Sequence, residues 1–145
     1  MVKVLVLSSG NSVRSQMMEG WLKYYGGNDI QVHSAGVYEN RGLNALANHV
    51  MSVDAVIDIS GHSSDKVEKY KNEKYDWLIL LHDIPEEAYK EIQASQTVAF
   101  YLEDPLNSGK EGDELVRHFV EIRNNIDDFS FTFIHDNVRN LIPTL

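Results

Sequence analysis

Ser8 and Arg14 are the first residues of the chain whose types and spacing suggest chemistry, because only the five residues SGNSV separate them. A loop of this length after a strand can wrap around a tetrahedral oxyanion, with backbone N–H groups pointing inward and a helix N-terminus behind them. Gly10 and Asn11 are the residue types that most readily adopt a positive φ, which a tight cradle needs. The planar guanidinium of Arg14 would then bind two oxygens of the anion.

The spacing alone leaves a second interpretation open, an ordinary turn between a strand and a helix with a serine N-cap. A Walker P-loop is not indicated, because the chain has no Gly-Lys-Ser/Thr at this loop. Two residues further along could also take part in chemistry. Asp104 precedes Pro105 and either initiates a turn or donates a proton. His82 ends an apolar run and either fills core space, binds an anion or acts as a base.

Alternating apolar runs and helical patterns predict the elements that position this loop. Short apolar runs predict strands at 3–8, 30–36, 75–82 and 97–104. Apolar residues at helical spacing predict helices over 12–26, 42–53, 84–93 and from Lys110 onwards. This order predicts one three-layer α/β/α domain over residues 1–145, with a four-stranded parallel sheet and helices on both faces. Ligands of such sheets bind beyond the carboxyl ends of the strands, where the loop after the first strand lies.

Composition and charge limit the functions open to the chain. Its 145 residues, 43% of them hydrophobic, suffice for one domain with a core. The net charge is −9, which disfavours nucleic-acid binding, and only the first third of the chain is nearly neutral. The sequence has no apolar stretch of the length that a membrane span or a signal peptide needs, so we expect a cytoplasmic protein without membrane contact. Because there is no cysteine, thiol chemistry is excluded.

The segment VLSSGNSVRSQMMEGWL resembles the start of the low-molecular-weight protein tyrosine phosphatases and of the related thioredoxin-coupled arsenate reductases. Their signature is Cys, five residues and Arg, with Gly-Asn-Ser inside the loop and Arg-Ser at its end. The resemblance continues in the same order along nearly the whole chain, through VHSAG, GLNALA, VIDISGHSSD, YDWLILLHD and FYLEDP. The segments SQMMEGW, DISGH and LEDP are more similar in sequence to the arsenate reductases than to the phosphatases.

The resemblance implies roles for individual residues of this chain. Ser8 matches the nucleophile, Arg14 the oxyanion clamp and Asp104 the general acid. The implied anion-binding residues are the phosphate loop and the hydroxyl after it, namely Ser9, Gly10, Asn11, Ser12, Val13, Arg14 and Ser15. No cofactor is required, but a potassium ion can bind beside the loop in the arsenate reductases. The matching residues all carry oxygen, as a hard cation requires: Asn11, Glu19, Ser34 and Asp65.

Four positions that carry cysteine in these relatives lack sulfur here: Ser8, Val13, His82 and Tyr89. Arsenate reduction by the family route takes its electrons from thiols, so this chain cannot perform it. Phosphate-ester hydrolysis is less strictly excluded. A serine hydroxyl is a much weaker acid than a thiol and needs an adjacent general base to become a nucleophile.

These observations lead to one main functional expectation and two alternatives. We expect the protein to bind phosphate, arsenate or a similar oxyanion, or a phosphorylated protein or small molecule, with little or no turnover. The first alternative is a weak or trapped phosphatase that uses Ser8 or water, with Asp104 as the general acid. The second is a scaffold whose pocket is vestigial. Whether the protein is an enzyme is therefore left open by the sequence.

Overall fold

Strands and helices alternate along the chain and form one parallel sheet with its helical layers. The computed structural model describes residues 1–53, 55 and 57–139, so the last six residues of the predicted domain lie outside the described part. The elements are β1 (Val2–Ser8), α1 (Arg14–Gly26), β2 (Ile30–Gly36), α2 (Ala45–Val53), β3 (Lys74–Leu80), β4 (Gln93–Ala99) and α3 (Gly112–Asn137). All strand pairs are parallel, in the order β2-β1-β3-β4. The predicted α/β fold with a four-stranded parallel sheet is confirmed.

Strand β1 lies inside the sheet and is covered on both faces. Val4 and Val6 belong to the hydrophobic cluster on one face, and Leu5 and Leu7 belong to the cluster on the other. All four side chains are fully buried. Successive side chains of a strand point to opposite faces of the sheet. Because both faces are covered here, these four residues are all apolar and the sequence shows one continuous apolar run.

The three α-helices cover the face that Val4 and Val6 line. Met17, Met18 and Leu22 of α1 are fully buried there, and the predicted apolar stripe of the last helix packs beside them through Phe119 and Ile126. Helix α2 begins at Ala45 rather than at residue 42, because the side-chain oxygen of Asn44 accepts a hydrogen bond from the N–H of Ala47 and caps the helix. The packing of these helices against β1 fixes the position of its carboxyl end.

The helix predicted over 84–93 is wrong, because this segment contains only the short 3-10 helix Glu86–Ala88. The twelve residues between β3 and β4 must return along the full length of a seven-residue strand. Such a strand is roughly 23 Å long, whereas twelve residues of α-helix span only about 18 Å. Together with a second 3-10 helix, Val67–Tyr70, this segment covers the other face of the sheet.

Strand β4 occupies residues 93–99, whereas the sequence predicts a strand over 97–104. It is an edge strand, and most of its side chains are exposed, so its first half has no apolar pattern to indicate a strand. Beyond β4, the N–H groups of Phe100 and Leu102 still donate to the backbone oxygens of Leu80 and Leu81, and the chain then brings Asp104 near the end of β1. Within the described residues, no helix is both long enough and apolar enough to cross a membrane.

Candidate functional site

A small pocket opens at the carboxyl end of β1, where the β1–α1 loop meets two later segments of the chain. Its cavity volume is about 10 Å³, and the space rises to about 210 Å³ when the open mouth is included. Six residues of the loop line it together with three from elsewhere: Ser8, Ser9, Gly10, Ser12, Val13, Arg14, Arg41, Asp104 and Leu106. The structure therefore brings Ser8, Arg14 and Asp104 together at the edge of the sheet where a ligand is expected.

The backbone of the β1–α1 loop has N–H groups that no protein acceptor uses. Among the hydrogen bonds of the described residues, none has the N–H of Gly10, Ser12 or Val13 as its donor. Val13 is the N-cap of α1, and no side chain caps this end of the helix. Unpaired N–H groups at the start of a helix are donors suited to an anion.

The positive φ predicted for this loop is confirmed at Asn11, which has a φ of 50°. The same prediction for Gly10 is wrong, since Gly10 is not among the glycines with a positive φ. Glycine is needed there for a different reason. A Cβ atom at Gly10 would lie 2.8 Å from Cδ of Arg41, whose side chain crosses the loop at this point.

Asn11 and Ser15 lie behind the loop and do not line the pocket, although the sequence assigns both to anion binding. The amide nitrogen of Asn11 donates to Oγ of Ser15 at 2.9 Å and to Oγ of Ser34 at 2.8 Å. Its amide oxygen accepts a hydrogen bond from the N–H of Asp65 at 2.8 Å. The Asn11 side chain therefore holds the loop in place from its buried side.

Three further polar side chains continue this buried group. Gln16 donates to the backbone oxygens of Asn11 at 3.1 Å and of Ser63 at 3.0 Å. His62 lies 3.1 Å from Oε1 of Gln16 and 3.3 Å from Oε2 of Glu19. Burial lowers the pKa of His62, although the nearby carboxylate of Glu19 acts in the opposite direction. We define the rear network as six residues: Asn11, Ser15, Gln16, Glu19, Ser34 and His62.

Sequence reasoning missed Gln16 and His62 as parts of the site. Gln16 is the third residue of α1, and a polar residue directly after a predicted anion loop is a usable signal. His62 offers no such signal, because it lies 46 residues away in an irregular segment. Only the fold brings it beside the loop.

The four residues predicted to bind potassium are neighbours in the structure, but their polar atoms already have protein partners. Asn11 turns its N–H donors towards Ser34, whose hydroxyl donates to Oε1 of Glu19 at 2.7 Å. The ammonium group of Lys23 lies 2.6 Å from Oε2 of Glu19 and supplies a positive charge. The carboxylate of Asp65 instead accepts hydrogen bonds from Ser63, Lys69 and Tyr70. The oxygen atoms of these four residues are paired with neighbouring groups in this structure, and potassium binding stays a prediction.

Ser8 is buried at the base of the pocket. Its Oγ lies 2.7 Å from Oγ of Ser15, and it accepts a hydrogen bond from the N–H of Asn11 at 3.2 Å. Among the described residues, no histidine or carboxylate is hydrogen-bonded to Ser8. A serine hydroxyl with only a second hydroxyl and an amide as partners has no general base to take its proton.

Arg14 is buried at the first position of α1, and its guanidinium lies beside the pocket. One terminal nitrogen donates to the backbone oxygen of Leu102 at 3.0 Å, and the other donates to Oγ of Ser9 at 3.3 Å. Burial lowers the pKa of this guanidinium, but an arginine side chain stays charged in proteins. The residue is thus a fixed positive charge beside the unpaired N–H groups.

Asp104 also lines the pocket, beside the two arginines. Its Oδ1 accepts a hydrogen bond from the N–H of Leu106 at 3.0 Å, which is the turn that the sequence allowed for this Asp-Pro pair. Its Oδ2 lies 3.8 Å from Arg14 and 3.5 Å from Arg41. Sequence reasoning missed Arg41, although it follows the carboxyl end of β2, the strand beside β1.

His82 and Tyr89 have no hydrogen bond to Ser8. His82 is half-buried at the end of β3, and its Nδ1 lies 3.2 Å from the backbone oxygen of Asp83. Burial lowers its pKa, which favours the neutral ring. Tyr89 lines a separate groove between the two 3-10 helices on the other face of the sheet. Neither side chain takes part in a hydrogen bond that could remove the proton of Ser8, although Arg14 and Asp104 are near enough to His82 to affect its pKa.

The fold and the site together define a small parallel α/β protein with a strand–loop–helix pocket at the carboxyl edge of its sheet. The chain belongs to the low molecular weight phosphotyrosine protein phosphatase family, whose model matches residues 3–140. The resemblance found in the sequence is therefore confirmed at the level of the family.

Arsenate reductases are among the proteins similar to this chain. Arsenate reductase 1 of Staphylococcus haemolyticus is 34% identical over 132 residues, which cover 90% of this chain and 96% of that protein. A solved arsenate reductase in the phosphate binding state has a TM-score of 0.75 and 31% identity, over 94% of this chain and 98% of the other. The structure of Vibrio vulnificus Wzb in complex with benzylphosphonate has a TM-score of 0.72 at 22% identity, which shows the shared fold alone. It covers 93% of this chain and 98% of the other.

Proposed function

We propose that this protein binds phosphate, arsenate or a similar tetrahedral oxyanion, free or as part of a phosphorylated ligand, with little or no turnover. The observation that carries the proposal is the position of Arg14, buried beside a loop whose N–H groups at residues 10, 12 and 13 have no acceptor among the described residues. A fixed guanidinium and convergent N–H donors are the groups that bind such anions. The phosphate in the related arsenate reductase structure is consistent with this ligand class.

The low turnover follows from Ser8. Its hydroxyl is a weak acid, and the groups hydrogen-bonded to it are the hydroxyl of Ser15 and an amide, neither of which is a base. The chain also contains no cysteine, so it has no thiol to form a covalent intermediate or to reduce arsenate. Binding of the anion does not need either function.

A residual phosphatase activity is the second candidate, and the position of Asp104 favours it. Its carboxyl group lines the same pocket as Ser8. In this mechanism Ser8 or a water molecule attacks the phosphorus atom, and Asp104 protonates the leaving oxygen. Such a reaction would be slow, because the attacking oxygen has no base.

Calorimetric titration with phosphate, arsenate and vanadate tests the binding proposal. The wild-type protein should show saturable binding, and Arg14→Ala should abolish it. Arg117→Ala is the matched control, because Arg117 is an exposed arginine on α3 outside the pocket lining. Absence of binding to the wild type at millimolar concentrations would refute the proposal.

An aryl-phosphate assay separates binding from catalysis. We expect no turnover by the wild type and measurable turnover by Ser8→Cys, since the thiolate restores the nucleophile in an otherwise complete pocket. Wild-type turnover that Ser8→Ala abolishes would establish the phosphatase alternative with Ser8 as nucleophile. Turnover that survives Ser8→Ala but is lost in Asp104→Asn would point to attack by water.

A further inference from the structure

Arg41 is a second positive charge at the mouth of the pocket, and its backbone is fixed to the β1–α1 loop. The N–H of Arg41 donates to the backbone oxygen of Gly10 at 2.9 Å. The N–H groups of Val37 and Glu39 donate in the same way to the backbone oxygens of Ser8, at 2.9 Å, and Ser9, at 3.2 Å. Main-chain hydrogen bonds therefore hold residues 37–41 alongside the loop.

The side chain of Arg41 points its terminal nitrogens towards the pocket. Its Nε atom is 2.6 Å from Oε1 of Glu39, which orients the guanidinium plane. Its Nη1 atom lies 3.5 Å from Oδ2 of Asp104, and Arg14 lies 3.8 Å from that same oxygen. The two guanidinium groups are thus neighbours across one carboxylate, and neither contact to Asp104 has the length of a strong hydrogen bond.

Exposure separates the roles of the two arginines. The side chain of Arg14 is 6% exposed, whereas that of Arg41 is 38% exposed. An anion held by the N–H groups of the loop would contact Arg14 inside the pocket. Arg41 would contact any further group of the same ligand that extends out of the pocket mouth. A single phosphate does not need this second guanidinium.

We propose that Arg41 forms a second anion-binding position, and that the preferred ligand belongs to the diphosphate class, with one phosphoryl group in the loop and the next at Arg41. The proposal rests on the proposed function, because it takes the loop as the first phosphoryl site. A diphosphate places its two phosphoryl groups side by side across one bridging oxygen, which matches two neighbouring guanidinium groups. On binding, the second phosphoryl group replaces Asp104 as the partner of Arg41.

Titration with inorganic phosphate and inorganic diphosphate at equal ionic strength tests the proposal. The wild type should bind diphosphate at least roughly tenfold more tightly than phosphate, as expected for added hydrogen bonds between charged groups. Arg41→Gln should weaken the binding of diphosphate more than that of phosphate and so remove most of this preference. Arg41→Lys should keep part of it, because the charge stays but the two-pronged geometry is lost. The matched control Arg117→Gln makes the same change in net charge at an exposed position outside the pocket and should keep the full preference.

Each other outcome has a distinct meaning. If the wild type binds neither anion, the proposed function itself fails. If it binds phosphate but binds diphosphate no more tightly, the second anion position is refuted while the oxyanion site stands. If Arg41→Gln keeps the preference for diphosphate, Arg41 is only a surface ion pair and the assignment is refuted. Urea denaturation of each variant, compared with that of the wild type, tests whether the fold is intact.

Discussion

The two sides of the β1–α1 loop are built in different ways. On the rear side, short hydrogen bonds join Asn11 to Ser15 and Ser34, at 2.9 and 2.8 Å. On the pocket side, both arginines contact Asp104 at longer distances, 3.8 Å for Arg14 and 3.5 Å for Arg41. The rear side is fully paired within the protein, whereas the pocket side keeps donors for an external partner.

This difference indicates how such a site combines rigidity with binding. Buried, fully paired polar groups impose one conformation on the loop. Long ionic contacts in a partly open pocket contribute little stability and exchange easily for a ligand. Changes on the rear side should therefore alter the stability of the fold, and changes on the pocket side should alter ligand binding.

Replacing Asn11 should have the largest effect on stability. Asn11→Ala removes one hydrogen-bond partner from each of Ser15 and Ser34, which keep their contacts with Ser8 and Glu19, and it leaves the N–H of Asp65 without its acceptor. We expect the free energy of unfolding to fall by about 2–4 kcal/mol, measured by urea denaturation with tryptophan fluorescence. Asn40→Ala is the control, because Asn40 is exposed and makes one hydrogen bond, to the backbone oxygen of Ser64. Equal losses in both variants would contradict the assignment of the rear side as the support of the loop.

Two glycines near the loop should respond differently to alanine. A Cβ at Gly36 would lie 1.9 Å from the backbone oxygen of Glu39, whereas a Cβ at Gly10 would meet the movable side chain of Arg41. We expect Gly36→Ala to destabilise the protein by about 1–3 kcal/mol and Gly10→Ala by less than about 1 kcal/mol. Urea denaturation of the two variants measures both values. A larger loss for Gly10→Ala would mean that the Arg41 side chain cannot move aside.

The pH dependence of stability should reveal the buried histidine of the rear network. His62 faces Glu19, and the charges of Lys23 and Asp58 also affect its pKa. Burial has the largest effect and lowers the pKa of His62 from 6.5 in the folded protein. As the pH falls below 6.5, the unfolded chain therefore takes up a proton that the folded protein resists, and the free energy of unfolding decreases. Urea denaturation between pH 7.5 and 5.5 should show a shallower decrease for His62→Gln than for the wild type. Identical slopes would show that His62 does not contribute.

Replacing Arg41 should have the smallest effect on stability. Its ion pairs with Glu39 and Asp104 are partly exposed to solvent, and such pairs contribute roughly 0–1 kcal/mol. We expect Arg41→Gln to change the free energy of unfolding by no more than about 0.5 kcal/mol in the same urea experiment. A loss of unfolding free energy comparable to that of Asn11→Ala would show that Arg41 supports the fold. The rear side and the pocket side of the loop would then not differ in their contribution to stability.

The sequence predicts the fold well where periodicity is clear. β1, α1 and α3 have continuous or regularly spaced apolar residues, and the structure has them close to the predicted bounds. The predicted helix over 84–93 fails because the geometry of the return path, which no local pattern contains, excludes an α-helix of that length. The edge strand β4 is displaced because its exposed side chains carry no apolar pattern.

The site is predictable only in part, for a similar reason. Ser8, Arg14 and Asp104 could be found because they fall in a loop or motif with recognisable spacing, and all three line the pocket. Arg41 and His62 lie in irregular segments and reach the loop only through the packing of distant parts of the chain. The sequence also could not show that Asn11 faces away from the pocket, because a positive φ does not indicate which side the side chain takes.

The attachment of residues 37–41 to the loop has a consequence for the variability of this site. Four of the hydrogen bonds that hold the segment join backbone atoms, so they do not depend on the side chains at positions 37, 38, 39 and 41. The rim of the pocket can therefore accept other residues at the exposed positions 38, 39 and 41 while the β1–α1 loop keeps its conformation. A library randomised at these three positions is a direct way to evolve new ligand preferences on an unchanged scaffold.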